Sequence, residues 1–276
     1  MALSNFSSTG SEDFYKMVDK ESITKTWTLT HSPIPVSLSI LVYLLIVVHF
    51  GPKIMASRKP YNLKTFMRVY NIIQIVYNAF VLSQVFVTPG AVEYLLEHSC
   101  RVDDPDNIKH LRHTFLYCSW HYFVLKLLDL FDTVFMVLRK KNTHITFLHI
   151  YHHCAMVVFT WYSNKYIKAQ QATIPALINT AVHCVMYFYY FLATFGPGMQ
   201  KQLWWKKYLT TLQLGQFAVV ILYLWLLYHQ DCQVSQDFNV IWIINVAVIA
   251  AFFVNFYIQT YIVKPQSQLR CKTKKQ

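Results

Sequence analysis

Charged side chains are scarce in this sequence. Asp, Glu, Lys and Arg together make up only 14% of its 276 residues, and the acidic residues number just 13. An ordinary soluble domain carries about 25% charged residues. Hydrophobic residues make up 55% of the whole sequence, and the aromatic residues that this class includes make up 17%. This shortage of charge excludes a typical soluble domain and predicts a membrane protein.

Long apolar stretches take the place of the missing charges. A run of roughly 20 apolar residues is long enough to cross a bilayer as a helix. The sequence predicts seven such spans, near residues 34–50, 68–87, 114–138, 145–163, 172–193, 208–228 and 238–263. The predicted fold class is therefore all-α, a multi-pass membrane protein. One seven-helix domain at 34–263 is flanked by tails at 1–33 and 264–276.

Acidic residues are absent from the segments that follow the first, third, fifth and seventh predicted spans, and these segments are rich in Lys and Arg. The positive-inside rule makes these segments cytosolic and the N-terminal tail lumenal, with the C-terminus in the cytosol. The N-terminal tail also lacks a short apolar core with a cleavage site, so no cleavable signal peptide is predicted. Asn5 begins a glycosylation sequon in this tail.

Two further features bear on the compartment. Lys272 and Lys274 belong to a C-terminal sequence that looks like a dilysine retrieval signal, which predicts the endoplasmic reticulum membrane. Attraction of a basic tail to anionic lipid is the alternative explanation. Cys100 and Cys232 lie in two predicted lumenal loops and are the cysteines that share an oxidising compartment. We predict a disulfide between them.

A histidine box, His149-x-x-His152-His153, lies within the fourth predicted span. Its spacings of three and four residues place all three imidazoles on one helical face. Ionisable groups inside a membrane usually face a bundle interior and mark a functional site. Other spans carry polar residues at similar depth, namely Lys126, Asp129, Asp132, Asn179, His183, Gln213, Gln216, Asn71, Gln74 and Asn78. The sequence thus predicts one polar layer in the cytosolic half.

These polar residues also have ordinary structural explanations. Lys126, Asp129 and Asp132 suit a structural ion network, because a buried charge is tolerated when it is paired. The amides suit hydrogen bonds between helices. A solitary histidine such as His121 is more typical of packing. We interpret the cluster formed by the histidine box and His183 as functional.

Four motifs, taken in order, resemble those of the very-long-chain fatty acid elongases. They are Lys126-x-x-Asp129-x-x-Asp132-Thr133, His149-x-x-His152-His153, Asn179-x-x-x-His183-x-x-Met186-Tyr187 and Thr210-x-x-Gln213-x-x-Gln216. The resemblance spans about residues 50–265. Asp129 is a departure, since the family more usually has Glu there. The resemblance implies seven helices in the endoplasmic reticulum membrane, with six surrounding a narrow substrate tunnel.

The resemblance also implies an activity. Family members condense a long-chain acyl-CoA with malonyl-CoA, releasing carbon dioxide and CoA and leaving a 3-oxoacyl-CoA two carbons longer. The implied substrates are these two thioesters, with no bound cofactor and no metal. A neutral imidazole can attack an activated acyl carbonyl. We predict His152 as this nucleophile, with His183, oriented by Asn179, as its closest partner.

The other site residues receive supporting roles. His149, His153, Gln213 and Gln216 are predicted donors to the enolate that forms when malonyl-CoA loses carbon dioxide. Asp129 and Asp132 are predicted to fix tautomers or the position of Lys126. Tyr187 is predicted to contact substrate. The anionic CoA needs a basic entrance, which we assign to Lys206 and Lys207 together with Arg139, Lys140 and Lys141.

Two other classes compete with this hypothesis. A metal-dependent desaturase or hydroxylase also uses a histidine box, but a two-iron site draws on several boxes and this chain has one. A transporter is disfavoured because the sequence shows no convincing internal repeat. The expected surroundings are lipid, with no nucleic acid partner. A homo-oligomer, and contacts with the reductases and dehydratase of the elongation cycle, are left open.

Overall fold

A computed structural model describes residues 27–100, 109–167, 170–230 and 236–263, and every regular element within these ranges is helical. Single 3₁₀ turns at Asn142–His144 and Gln170–Ala172 precede α5 and α6. The helices are α1 at Pro33–Ala56, α2 at Lys64–Val87, α3 at Ala91–His98, α4 at Lys109–Leu138, α5 at Phe147–Tyr166, α6 at Thr173–Ala193, α7 at Pro197–Gln202, α8 at Lys206–Tyr228 and α9 at Gln236–Val263. The predicted all-α fold class is confirmed.

Five of the described helices are long and apolar enough to cross a membrane: α1, α2, α8, α9, and α6 with its preceding turn. The chain is therefore a multi-pass membrane protein. The 30-residue α4 and the 20-residue α5 coincide with the third and fourth predicted spans but are less apolar. They carry the Lys126 motif and the histidine box, so the polar layer itself lowers their hydropathy.

The first span is longer than predicted, because α1 continues through Pro52 to Ala56. Proline normally clashes with the carbonyl four residues earlier in an α-helix. Here the segment Leu45–Phe50 is a π-helix, whose wider turn accommodates Pro52. The residue after this segment is Gly51, where a side chain does not fit. A Cβ there would overlap the carbonyl oxygen of Ile46 and lie 2.7 Å from Val137 Cγ1.

Two short helices escaped the prediction altogether. They are α3 and α7, with eight and six residues respectively, and both lie between long helices. Each follows a glycine with positive φ, 74° at Gly90 and 106° at Gly196, a conformation that favours glycine. Hydropathy windows sized for a membrane span are too wide to detect such elements.

Side-chain caps fix the starts of two helices that shape the site. Ser32 accepts a hydrogen bond from the backbone N–H of Ile34, and Pro33 follows at the first helical position of α1. Thr146 Oγ1 accepts from the backbone N–H of His149 at 3.2 Å. This second cap sets the start of α5 three residues before the histidine box begins.

The helices pack in two groups around α4 and α5. One hydrophobic core joins α1 to α4 and α5, and Val47, Phe123 and Val157 are its most buried members. A second core joins α8 to α9 through Leu224 and Ile249, with Leu148 of α5 packed against it. In these cores α1 packs against α4 and α5, whereas α2 packs mainly against α6 and α8 packs mainly against α9.

The positively charged segments gather at one end of the bundle. Lys140 donates to the carbonyl oxygen of Ala56 at 3.1 Å, which brings the end of α1 to the end of α4. Arg68 donates to Thr194 Oγ1 at 3.2 Å, which joins α2 to the end of α6. We call this the basic end, defined by Arg139, Lys140, Lys141, His144, Lys206 and Lys207.

Several predictions fall outside the described residues. They concern Asn5, Cys232, Lys272 and Lys274, together with most of both predicted tails, so glycosylation, the disulfide and the retrieval signal stay predictions. The free cysteines among the described residues are Cys118, Cys154 and Cys184. Cys118 lies in α4, Cys154 in α5 and Cys184 in α6.

Candidate active site

The histidine box occupies one face of α5 near its start. The ring centroids of His149 and His153 are 4.3 Å apart, and those of His152 and His153 are 5.5 Å apart. His153 is buried, whereas His149 and His152 are half-buried. The three imidazoles therefore form one compact group rather than three separate packing residues.

A hydroxyl links this group to α4 and α1. Thr133 Oγ1 lies 2.9 Å from His149 Nε2 and 2.9 Å from the hydroxyl of Tyr43. Thr133 has a single hydroxyl hydrogen, so it donates to one of these neighbours and accepts from the other. The orientation of His149 thus depends on a residue of α1.

A buried ammonium group lies at the centre of the polar layer. Lys126 is only 2% exposed. Its Nζ donates to Asp129 Oδ2 at 2.9 Å and to Asn179 Oδ1 at 2.9 Å, and it lies 3.4 Å from His183 Nδ1. A charge buried this deeply requires such partners, since an unpaired one would be very costly. Lys126 therefore connects α4 to the two site residues of α6.

Asp129 is central to this hydrogen-bond network, although its side chain is shorter than that of Glu. Besides Lys126, it accepts hydrogen bonds from Gln74 Nε2 at 3.0 Å and from the Tyr187 hydroxyl at 2.8 Å. The same hydroxyl lies 2.8 Å from Asp132 Oδ2. The carboxylate of Asp129 thus contacts α2, α4 and α6, so the residue that departs from the family pattern retains its partners.

The structure places Asn179 differently from its predicted role. Its Oδ1 accepts from Lys126 and from the hydroxyl of Tyr122 at 2.8 Å. His183 Nδ1 instead faces Lys126 and lies 3.6 Å from Asp129 Oδ2. In the described contacts, therefore, Asn179 acts on His183 through the ammonium between them. Spacing along α6 places the two on one face but cannot show that a lysine of α4 inserts there.

A cavity among the long helices is lined by His152 and by residues of α4, α5, α6, α8 and α9. Its polar lining includes Asn179 of α6, Gln216 of α8 and Asn245 of α9, together with Ser119, Tyr122, Thr160, Ser163 and Asn164. Farther from the basic end, the lining is mainly apolar and includes Met156, Phe159, Ala176, Val220, Phe238 and Trp242. An apolar cavity with a few placed polar groups is typical of a small-molecule site.

Asn245 is a site residue that the sequence did not reveal. The Tyr151 hydroxyl donates to its Oδ1 at 2.8 Å. The amide N–H groups of Asn245 are consequently the donors it offers to the cavity that it lines with His152. Asn245 is one of several amides in the apolar seventh span, and an Asn there is also common in helix contacts.

The remaining predicted residues take different positions. Gln213 Nε2 lies 3.6 Å from Met186 Sδ and is half-buried, whereas Gln216 is the amide of α8 that lines the cavity. Lys206 and Lys207 are exposed in the first turn of α8, at the basic end. Of the two predicted amide donors, Gln216 is therefore the one that lines the same cavity as His152.

The basic end concentrates positive charge. The pKa of His144, an exposed residue, is sensitive to this positive charge. Its pKa lies below the usual value because of partial loss of water contact and then because of the charges on Lys206, Lys141 and Arg139. A local excess of positive charge favours binding of an anion. This end of the bundle is suited to a phosphorylated ligand.

Metal coordination finds little support in the described part of the chain. No three His, Cys, Asp or Glu side chains there converge with the geometry of metal ligands. His149 Nε2 is instead engaged with Thr133. The geometry thus favours hydrogen-bonded imidazoles over a ligand set.

The family model described as GNS1/SUR4 family, or ELO, matches residues 28–269. The chain belongs to this family. The matched range includes all four motifs and nearly all of the described helices. ELO membership accords with the polar layer, the histidine box and the cavity that lies beside it.

Named members of the ELO family are similar over most of their length. Very long chain fatty acid elongase 4 of Macaca mulatta is 39% identical over 238 residues, covering 86% of this chain and 74% of the relative. Elongase 7 of Rattus norvegicus is 34% identical over 263 residues, covering 93% and 92%. Elongase F of Drosophila melanogaster is 38% identical over 231 residues, covering 81% and 87%.

Proposed function

We propose that the protein is a fatty acid elongase, which condenses an acyl-CoA with malonyl-CoA to give a 3-oxoacyl-CoA, carbon dioxide and CoA. The observation that carries this proposal is the position of His152, which lies on a mainly apolar cavity within the bundle. Membership of the ELO family favours an elongase over a desaturase, hydroxylase or transporter. The cavity accepts the hydrocarbon chain, and the imidazole meets its thioester.

In the first half-reaction, a neutral His152 attacks the acyl carbonyl. The carbon–sulfur bond breaks, CoA leaves as a thiolate with the electron pair, and an acyl-imidazole remains, which keeps the proton on its other ring nitrogen until condensation releases the neutral ring. The CoA phosphates lie at the basic end, where Lys206 and Lys207 are exposed. The acyl chain extends the other way, between Phe159 and Trp242. This orientation puts each part of the substrate against the surface that suits it.

In the second half-reaction, malonyl-CoA loses carbon dioxide and forms an enolate. The enolate carbon attacks the acyl-imidazole, which regenerates His152 and yields the 3-oxoacyl-CoA. Gln216 and Asn245 offer amide N–H groups to the developing negative charge. Donors that are already in place stabilise such a charge most strongly where water is excluded.

The finer architecture follows from the same proposal. Counting α4 and α5, seven helices span the membrane, with α2, α4, α5, α6, α8 and α9 around the substrate tunnel and α1 outside them. The basic end faces the cytosol, the N-terminus is lumenal, and the membrane is that of the endoplasmic reticulum. The gathering of basic segments from α1, α2, α4 and α6 supports this sidedness.

Intact mass spectrometry tests the proposal. Purified protein incubated with acyl-CoA alone should gain the mass of one acyl group. His152→Ala should form no adduct, because it lacks the nucleophile. His183→Ala, the matched control on α6, should still acquire the group, although more slowly. Elongation by the parent protein without any adduct would contradict the acyl-imidazole, and the absence of 3-oxoacyl-CoA product would contradict the activity itself.

A further inference from the structure

The Tyr187 hydroxyl lies between two carboxyl groups. It is 2.8 Å from Asp129 Oδ1 and 2.8 Å from Asp132 Oδ2, both ordinary hydrogen-bond distances. A tyrosine hydroxyl has one hydrogen, whereas an ionised carboxylate has none and only accepts. Two carboxylates therefore cannot both be bonded to Tyr187. One of the two carboxyl groups must bring a hydrogen of its own.

The neighbours of each carboxyl group show which one carries that hydrogen. Asp129 is 2% exposed and accepts from the ammonium of Lys126 and the amide of Gln74, both of which favour an ionised carboxylate. Within the described residues, neither an ammonium nor an amide donates to Asp132. Because Lys126 supplies one positive charge, an ionised Asp129 already balances it. A second anion would leave the layer with an uncompensated charge.

We propose that the Asp132 carboxyl is a neutral acid and forms the outer end of a proton path that runs through Tyr187 to His183. Asp132 donates to the Tyr187 oxygen, and Tyr187 donates to Asp129. Asp132 is half-buried, whereas Asp129, Tyr187 and His183 are buried. The stored proton therefore lies at the more accessible end of the path.

The distances allow the proton to be passed inward. When Asp132 gives its proton to the Tyr187 oxygen, Tyr187 passes its own proton to Asp129, which becomes neutral. Lys126, 3.4 Å from His183 Nδ1, then gives a proton to that nitrogen. The neutral Asp129 carboxyl rotates to turn its proton from the Tyr187 side towards Lys126, 2.9 Å away, and returns one to the amine. His183 becomes able to release the proton from its other ring nitrogen. The net change is one proton moved from Asp132 to His183.

This inference rests on the proposed function for its chemical use. When the acyl group is transferred to His152, the carbon–sulfur bond breaks and CoA leaves as a thiolate with the electron pair. The thiolate takes the proton that His183 releases, giving the free thiol of CoA. Asp132 is then reprotonated from water. The condensation consumes one proton overall, and this path supplies it.

Infrared spectroscopy of the resting full-length protein in detergent tests the location of the proton. The parent protein should show the C=O stretching band of a neutral carboxylic acid, which shifts in D₂O. Labelling of aspartate with ¹³C should move that band without any substitution. Asp132→Asn should remove it, whereas Asp237→Asn, which alters an exposed acid at the far end of α9, should leave it unchanged.

Steady-state kinetics test the path. Asparagine at 132 keeps a donor for Tyr187 but has no transferable acidic proton. Asp132→Asn should therefore lower kcat about 100-fold, the usual size of a general-acid contribution, while KM stays within about twofold. A merely structural role for Asp132 would instead change KM or folding.

Several results would overturn the inference. They are the absence of a carboxylic acid band in the parent protein, a band that aspartate labelling does not move, its persistence in Asp132→Asn, or a parental kcat in that variant. A protein that shows the band but makes no 3-oxoacyl-CoA would disprove the elongase function and leave the proton assignment intact. An active protein without the band would disprove the proton assignment and leave the elongase function intact.

Discussion

Asn245 lies in an apolar stretch of α9, yet it presents amide hydrogens to the same cavity as His152. Tyr151 fixes its orientation by occupying the carbonyl oxygen at 2.8 Å. Tyr151 occupies an unspecified position within the histidine box, between His149 and His152, and serves the site indirectly through the amide that it holds.

We predict that Asn245→Ala lowers kcat for 3-oxoacyl-CoA formation by about 100-fold, in line with the loss of one oxyanion donor. Tyr151→Phe should have a smaller effect, because the amide keeps its place but loses its fixed orientation. Asn255→Ala is the matched control, an exposed Asn of the same helix. Initial rates at saturating substrate measure the effect. A raised KM with parental kcat would show that Asn245 only positions the chain.

His144 offers a test of the basic end through its pKa. Partial burial and nearby Lys and Arg charges depress that pKa, so the neutral ring dominates at physiological pH. A bound anion stabilises the protonated ring, and CoA should therefore raise the pKa of His144. Linkage then requires CoA to bind more tightly as the pH falls through this pKa.

Carbon-13 NMR of labelled histidine, assigned with His144→Gln, measures this titration with and without CoA. Lys206→Met should raise the pKa of His144 in the free protein, because it removes one of the repelling charges. If CoA binds but leaves the titration unchanged, the phosphates lie elsewhere.

At the scale of elements, the long helices were predictable and their interruptions were not. Hydropathy placed α2, α6, α8 and α9 within a few residues, because twenty apolar residues in a row have few alternatives. The extension of α1 depends on a π-helical segment that relieves Pro52, and a sequence pattern contains no signal for hydrogen bonds five residues apart. The first span, predicted near residues 34–50, is therefore shorter than the helix, which continues through Pro52 to Ala56.

A substitution at Gly51 tests how much the π-helical segment contributes to the stability of the protein. Gly51→Ala should lower the melting temperature of the detergent-purified protein, because the new methyl group overlaps the Ile46 carbonyl and crowds Val137. The expected cost is about 1 to 3 kcal/mol, as for other overpacked sites. Gly215→Ala is the control in α8, where a Cβ meets nothing within 4 Å.

The control should raise the melting temperature, since alanine is favoured over glycine within a helix by about 1 kcal/mol. Equal behaviour of the two variants would mean that the π-helical segment readily rearranges. Opposite shifts would confirm that Gly51 is required by contact rather than by flexibility.

The candidate site was predictable in its membership but not in its connections. Spacing along each helix identified the residues that meet, including His149, His153, Lys126 and His183. Contacts between these residues depend on the rotation of each helix about its own axis. Packing between the helices sets that rotation. The insertion of Lys126 between Asn179 and His183, and the contribution of Asn245, therefore required coordinates.

At the scale of the whole molecule, the charge asymmetry predicts one compartment for each end of the bundle. Cys100 follows α3 at the end of the molecule opposite the basic end, and Cys232 follows α8 in the sequence. If this end is lumenal, the two form a disulfide that joins the loop after α3 to the loop before α9.

We predict that peptide mapping without reduction recovers Cys100 and Cys232 in one linked pair. Reduction, Cys100→Ser and Cys232→Ser should each lower the melting temperature to a similar extent, and combining the two substitutions should add little. Cys184→Ser, which removes a free thiol in α6, is the control. Free alkylation of both cysteines in the unreduced protein would refute the pairing and weaken the assigned orientation.

Hydrogen bonds between Tyr43 and Thr133 and between Thr133 and His149 connect α1 to the histidine box. Most of the side chains of α1 face outward, including Ile34, Leu38 and Val48. A helix that tilts to match the thickness of the surrounding bilayer would carry Tyr43 with it. The lipid composition of the host membrane would then adjust the catalytic imidazoles mechanically, without any soluble effector.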